Sequence, residues 1–464
     1  MTDTIWQPDL SQFAGPKYMA LADALRSAVR EGELTEGARL PTVRNLAWRL
    51  KMTPGTVARA YQMVMQDGLL SGEVGRGTFV AATAAKAKAP HGLYIEPDTK
   101  VVDLGAPQLP DVGQGVAFAR ALRGIADRMG PDWLTYPSQR AEAPLRTAVV
   151  DWLSDRVLGP IGTEDVVLVN GGQNAISVVM QACLRGEKPI VLLEDLAYSG
   201  VRHAAALLRA EPVALEMDGE GVRPDALEAA CRRHSTAQLL CLTPQGQNPT
   251  AVSMGPERRA AITRIARAHD LQIVEDDCYS VAKSQLPQLR ALAPERTWYV
   301  GSLSKSVSAA LRFGYVVCPT GKGETGRMVA QHAFFALARP VSDLCLDLIV
   351  SGDAEKIRAS VQAELAPRLQ MVVNMLGAYD ISWLPGLPFV WLRMPRGWRA
   401  SSFMRAAEAE GVLMRSSDTY ALNHGRAPNA VRLAVSGAMP RPRFEAGIAT
   451  IARLLSNPPQ ELSI

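Results

Sequence analysis

A lysine closes the run Gly301-Ser302-Leu303-Ser304-Lys305, which directly follows the apolar stretch Trp298–Val300. A primary amine in a turn beside small hydroxyl residues can form an imine with an aldehyde cofactor. Ser302, Ser304 and Arg312 can hold an anionic phosphate on the same molecule. Asp276, after Ile273–Glu275, can pair with a protonated pyridine nitrogen and keep that ring electron-withdrawing. Tyr279, and the amide of Asn248 in Gln247-Asn248-Pro249-Thr250, can donate to a phenolate oxygen on the ring. Asn170-Gly171-Gly172-Gln173-Asn174 follows Val166–Val169 and opens a helix, so the amides of Gly172 and Gln173 would face a phosphate at a helix N-terminus. Tyr198 is placed to stack on an aromatic ring, and Arg432 can grip a carboxylate bidentately. Each residue alone has a blander reading as a turn serine, a structural aspartate or a core tyrosine. The combination, in this order, carries the inference.

Such residues need strands to deliver them. Beyond Val101, helical stretches (Arg146–Leu158, Glu257–His269, Glu355–Leu376) separate or follow short apolar strands. The strands are expected at Val166–Val169, Ile190–Leu193, Leu239–Leu242, Ile273–Glu275, Trp298–Val300 and Phe313–Val317. This order predicts an α/β sheet covered by helices, with functional groups at strand C-terminal ends. Residues 81–100, AATAAKAKAPHGLYIEPDTK, lack hydrophobic periodicity and are rich in alanine, lysine and proline, which predicts a linker. The expected organisation is therefore 1–80, a linker at 81–100, and 101–464.

The chain has 464 residues with 50 basic and 46 acidic side chains, a net charge of +4 that excludes a polycation or an acidic tail protein. The average hides an asymmetry. From Gly37 to Gln66 there is no acidic residue, yet Arg39, Arg44, Arg49, Lys51 and Arg59 fall there, an electrostatic footprint for nucleic acid. Leu21, Leu25 and Val29 predict a helix from Lys17 to about Arg30. Thr42 is expected to cap a second helix with Leu46, Ala47 and Leu50 inside, and Thr53-Pro54 to open a third with Val57, Tyr61 and Val64 inside. That helix is expected to stop at Asp67-Gly68, and Leu69 to Val80 to form a hairpin around Val74-Gly75-Arg76-Gly77. Three helices and a hairpin make a winged helix-turn-helix. Thr53 and Thr56, with Arg59 on the same helix and Thr42 and Arg44 on the one before, would face double-stranded DNA, and Arg76 and Gly77 would carry the wing to the backbone or a minor groove.

No run of about 18 apolar residues predicts a membrane span. The N-terminus lacks a signal-peptide pattern, and the six scattered cysteines form no C-x-x-C pair or zinc spacing. The expected location is the cytoplasm.

Leu40-Pro41-Thr42-Val43-Arg44-Asn45-Leu46-Ala47, Val57-Ala58-Arg59-Ala60-Tyr61, Asp67-Gly68-Leu69-Leu70 and Gly75-Arg76-Gly77-Thr78-Phe79-Val80 resemble the GntR-type winged helix of bacterial repressors. From about Val101 onward the chain resembles fold type I pyridoxal-phosphate enzymes, in particular class I/II aminotransferases. That resemblance implies pyridoxal 5'-phosphate as cofactor and Lys305 as the Schiff-base lysine. It implies Asp276 as the partner of the pyridine nitrogen, Asn248 and Tyr279 as contacts to the ring oxygen, and Tyr198 as the stacking ring. Gly172, Gln173, Ser302, Ser304 and Arg312 would form the phosphate cup, Arg432 the carboxylate clamp, and Tyr136 would reach the neighbouring subunit's phosphate. The fusion resembles the MocR subfamily of GntR regulators, a multidomain layout that implies a head-to-tail homodimer.

The expected function is a DNA-binding transcription regulator that senses an amine or amino acid through external aldimine formation, displacing Lys305 and closing over Arg432. An aminotransferase with an accessory DNA-binding domain is the alternative, because Asn248-Pro249 has the form found in enzymes.

Overall fold

The computed structural model describes residues 6, 8–10, 16–31, 33–35, 37–66, 69–73, 77–80, 101–279, 286–422 and 427–458. The chain divides into two compact units, Met1–Glu96 and Pro97–Ile464. The linker expected at 81–100, the helix stop at Asp67-Gly68 and the wing residue Arg76 lie outside the described residues.

In the first unit, α1 (Lys17–Glu31), α2 (Val43–Arg49) and α3 (Pro54–Gln66) precede a hairpin of β1 (Leu70–Glu73) and β2 (Gly77–Val80). The hydroxyl of Thr42 accepts the Asn45 N–H at 3.3 Å and so starts α2. Lys51 then takes a left-handed φ of 52° and reverses the chain. Thr53 Oγ1 accepts the Thr56 N–H at 3.2 Å at the head of α3. Leu21, Leu25, Val57, Tyr61 and Val64 meet in one core. Within it the Tyr61 hydroxyl donates to Pro41 O at 2.7 Å, tying α3 to the residue before the Thr42 cap of α2. Gly77, at φ +119°, leaves room for Arg39, whose Nε would lie 3.0 Å from an added Cβ.

The second unit is built on a seven-stranded sheet. Its strands are β3 (Val166–Val169), β4 (Ile190–Glu194), β5 (Glu211–Leu215), β6 (Ala237–Leu242), β7 (Gln272–Asp276), β8 (Thr297–Ser302) and β9 (Gly314–Val317). Their spatial order is β3-β9-β8-β7-β6-β4-β5. All neighbours run parallel except β9, which is antiparallel to both β8 and β3. The strands are apolar without alternation because helices cover both faces. Val191 and Leu193 face the cluster that contains α4 (Gly171–Cys183) and α5 (Ser199–Leu207), while Leu192 packs on the opposite side. A four-stranded antiparallel sheet follows, with β10 (Ile381–Ser382), β11 (Phe389–Arg393), β12 (Arg415–Ser416) and β13 (Ala430–Ala434) in the order β10-β11-β13-β12. The helix α6 (Asp353–Leu376) buries Val361, Leu365, Leu369 and Val372 in the core shared with this sheet.

Two elements differ from expectation for local reasons. The helix expected over Arg146–Leu158 runs from Gln139 to Trp152. Ser138 caps it early by accepting the Ala141 N–H at 3.2 Å, and a 3-10 turn at Leu153–Asp155 ends it. The strand expected from Phe313 begins at Gly314, one residue later and just beyond the left-handed Arg312 at φ 46°. Among the described residues no helix is long and apolar enough to cross a membrane.

Replacing Tyr61 by Phe leaves Pro41 O buried without its donor. The variant should lose about 1–2 kcal/mol of stability in urea denaturation while keeping its helical signal. An unchanged midpoint would remove this bond from the account of the first unit.

Candidate cofactor and nucleic-acid sites

Three adjacent parallel strands bring their functional residues to one edge of the large sheet. β6 leads to Asn248, β7 ends at Asp276, and β8 ends at Ser302 and runs on to Lys305. Lys305 Nζ donates to Pro107 O at 3.3 Å and lies 5.9 Å from the centre of the Tyr279 ring. Ser302 Oγ is 3.0 Å from both Phe313 O and Ser304 Oγ, and it accepts the Ser304 N–H at 3.1 Å. These bonds fold the chain back so that the lysine leaves the strand in a turn.

The expected phosphate residues Gly172 and Gln173 lie where α4 begins. Its first N–H groups have no partners within the helix, which makes them donors for an incoming oxyanion. Gly171 is left-handed at φ +80°, and a Cβ there would lie 2.8 Å from Arg312 Nη2. A Cβ on Gly172 would overlap the Cys278 sulfur. Gly171 is therefore dictated by its left-handed backbone and Gly172 by close approach. Gln173 is used differently from a simple cup residue, since its side-chain amide donates to Gly200 O of α5 at 2.9 Å. Its backbone N–H, at the head of α4, is the group that would face an anion.

Asp276 accepts the Cys278 N–H at 3.0 Å, and burial still pushes its carboxyl above the usual range. A cationic ring nitrogen is the partner that would restore its charge. Tyr198 is pushed up to about 12 by burial, with Tyr279, Asp276 and Cys278 adding to the shift and Arg312 opposing it. Tyr198 and Asp276 line one cavity, Lys305 lies by Tyr279, and Arg312 reaches the start of α4.

The carboxylate end lies between the two sheets. Arg432 on β13 is 4% exposed and donates to Asn248 Oδ1 and to Gly105 O, both at 2.8 Å. Its guanidinium carbon sits 5.2 Å from the Phe389 ring and 5.0 Å from the Tyr420 ring. Phe389 in turn meets Tyr279 edge to face at 5.3 Å. A continuous path of contacts therefore runs from Lys305 to Arg432. Arg432 Nε and Tyr420 Oη are buried without hydrogen-bond partners, so unused polar atoms remain at this end.

Residues outside the expected set support this frame. Glu194, at the end of β4, accepts the Thr243 N–H at 3.2 Å and the Gln247 amide at 3.0 Å. Gln247 also donates to Leu196 O and accepts from the hydroxyl of Thr250, which fixes the loop that carries Asn248. Sequence pattern gave Glu194 no role because a carboxylate at a strand end is common, and only the fold shows it facing Gln247. Gly105 and Pro107 were missed for the same reason: their contribution is a backbone carbonyl. Tyr136 stands elsewhere, 81% exposed, with its ring 5.0 Å from that of Phe335.

In the first unit, Thr42, Arg44, Thr53 and Arg59 are exposed and Thr56 is half-buried, all at or near the starts of α2 and α3. Arg59 lies 4.0 Å over the Tyr18 ring, which holds its charge near α3. Gly77 lies at the start of β2.

Residues 99–451 match the family Aminotransferase class I and II. The chain belongs to that family. Residues 17–80 match the bacterial regulatory proteins of the gntR family, so a DNA-binding winged helix precedes the aminotransferase fold. An uncharacterized HTH-type transcriptional regulator of Bacillus subtilis, YdeF, is 27% identical over 458 residues, 97% of each chain. A probable rhizopine catabolism regulatory protein of Rhizobium meliloti, MocR, is 24% identical over 86% of this chain and 85% of its own. In fold, the second unit resembles the α-aminoadipate aminotransferase LysN of Thermus thermophilus, solved with N-(5'-phosphopyridoxyl)-L-leucine. The TM-score is 0.67 at 23% identity, over 80% of this chain and 98% of that one. The layout is that of MocR-type GntR regulators, and the large unit is a pyridoxal-phosphate-binding fold.

The residues present fit that cofactor. The raised carboxyl of Asp276 faces the same space as Tyr198, and the helix start beside Arg312 is shaped by glycines that admit no Cβ.

Burial pushes Glu194 from the ordinary 4.5 to about 8, with nearby Asp276 adding to the shift while Gln247 and Thr243 oppose it. The unfolded chain loses this proton near 4.5 and the folded chain keeps it to about 8, so Glu194 lowers stability as pH rises through that window. Glu194→Gln should flatten the fall in stability over this range by up to about 1.4 kcal/mol per pH unit. Chemical unfolding followed from pH 5 to about 8 checks this, and equal slopes in wild type and variant would contradict it.

Proposed function

We propose that this regulator senses an amino acid or related amine at Lys305 and converts its binding into a change in operator affinity. The observation that carries the reading is the path from Lys305 through Tyr279 and Phe389 to Arg432, which joins an amine-reactive end to a carboxylate-binding end. Pyridoxal phosphate supplies an aldehyde that condenses with primary amines and a ring that draws electrons from the attached carbon. Lys305 would hold that aldehyde carbon in the resting protein and be released when an effector amine takes its place. Asp276 would hold a proton at the pyridine nitrogen. Asn248 and Tyr279 would orient the ring oxygen, and Tyr198 would cover one face. Gly172, Gln173, Ser302, Ser304 and Arg312 would bind the phosphate.

Arg432 would take the effector carboxylate on its guanidinium fork. Because Arg432 sits on the smaller sheet and Asn248 on the loop after β6 of the larger one, ligand binding there would bias their relative position. In a head-to-tail homodimer that bias would alter the spacing of two winged helices tethered by residues 81–100. The homodimer is supported by the exposed apolar side chains Leu134, Tyr136 and Phe335, with Tyr136 assigned to the partner's phosphate. Thr42, Arg44, Thr53, Thr56, Arg59, Arg76 and Gly77 would contact double-stranded operator DNA, which sets the place of action in the cytoplasm.

A second reading, transfer of the amino group to a keto acid, is favoured by one observation. Arg432 donates to Asn248 Oδ1 at 2.8 Å, and the two would together receive a substrate carboxylate. It predicts repeated turnover with an amino donor and a keto acid.

An electrophoretic shift assay on the gene's own upstream DNA, with and without pyridoxal phosphate and candidate amino acids, tests the sensing reading. A complex whose affinity changes with amino acid is expected, and no complex under any condition would sink it. Lys305→Ala should abolish the imine absorption of the protein, and an unchanged spectrum would exclude Lys305 as the anchor.

A further inference from the structure

Arg432 is not the only guanidinium at the carboxylate end. Arg415 on β12 is its direct partner across the antiparallel pair with β13, which places both side chains on the same face. Both donate to one acceptor: Arg432 Nη2 and Arg415 Nε reach Gly105 O at 2.8 and 3.0 Å. Two cations opposite one another on neighbouring strands repel, and a single neutral carbonyl does not balance them. Among the described residues neither arginine makes an ion pair. Asp103, on the same loop as Gly105, is engaged through Oδ1 by the Gly105 N–H at 2.7 Å. Among the described residues Arg432 Nε and the neighbouring Tyr420 Oη have no hydrogen-bond partner, each on a side chain 4% exposed. The site therefore holds more positive charge and more unused donors than one ligand carboxylate would satisfy.

We infer that Arg415 reads a second negative charge, so that the effector is an α-amino acid with an acidic side chain. This rests on the reading above in which Arg432 takes the α-carboxylate. One carboxylate neutralises Arg432, and the second meets Arg415 and draws on the free Tyr420 hydroxyl. The alternative is that Arg415 only holds the Gly105 loop, and in that case its loss would weaken every ligand alike.

The full-length protein loaded with pyridoxal phosphate is titrated with L-aspartate, L-glutamate, L-alanine and L-norvaline, followed by the cofactor's absorption. Binding of glutarate, a dicarboxylate without an amine, is measured in parallel by calorimetry. The acidic amino acids should bind about 10- to 100-fold more tightly than the neutral ones, the range expected for hydrogen bonds to a charged group. In Arg415→Gln the acidic-to-neutral affinity ratio should fall to about one and glutarate binding should be lost. Arg415→Lys, which keeps the charge, should restore part of the ratio and reports on selectivity if the glutamine variant does not fold. Equal affinities for acidic and neutral ligands in the wild type, or an unaltered ratio in both variants, would overturn the assignment. Glutarate binding that depends on Arg415, with no spectral response to any amine, would leave Arg415 in place and remove the sensing reading instead.

Discussion

The burial of Arg432 without a carboxylate is the constraint on which the site depends. A guanidinium taken out of water costs several kcal/mol unless its donors are met. Here Asn248 and Gly105 meet two of them, and two aromatic rings lie against the planar cation. Those partners come from different parts of the second unit: the loop after β6, the residues after Val102–Asp103, and the smaller sheet. Their convergence ties the smaller sheet to the larger one through a single buried guanidinium. Among the described residues its Nε has no hydrogen-bond partner.

The rest of the cofactor site is arranged by strand topology. In a parallel sheet the C-terminal strand ends share one edge, so residues far apart in sequence become neighbours without long loops. Asn248, Asp276 and Lys305 reach the site this way. The antiparallel β9 returns the chain beside β8 and brings Arg312 to the start of α4, where it donates to Asn170 O at 3.4 Å. Cation and helix terminus then act on the same side. Glu194 and Gln247 form the support behind this front, bonded to each other, to the Thr243 N–H, to Leu196 O and to Thr250.

Much of this was legible in the sequence because its signals are local. Apolar runs marked six of the seven strands of the large sheet to within a few residues but not β5 or the smaller sheet, and Ser-x-Ser-Lys after an apolar strand marked the turn at Lys305. Thr42 and Thr53 announced helix starts through their own side chains. Other features depend on pairings between distant segments. The register that sets Arg415 against Arg432 and the carbonyl of Gly105 that both arginines share leave no trace in spacing or composition. The Gln173 side chain shows the same limit, since nothing local in the sequence marks its bond to Gly200 O. The early start of the helix at Gln139 follows from Ser138, a cap that the apolar pattern alone did not reveal.

Sensing requires that DNA and amino acid act on one equilibrium, and such coupling is reciprocal. The most direct test is a spectral titration of the pyridoxal-phosphate-loaded protein with an amino acid, performed free and again saturated with its operator DNA. The account predicts that the two midpoints differ by about fivefold or more, the size of ordinary coupling between sites. Coinciding midpoints would contradict it, leaving a DNA-binding unit and a cofactor-binding unit that share a chain but not a signal.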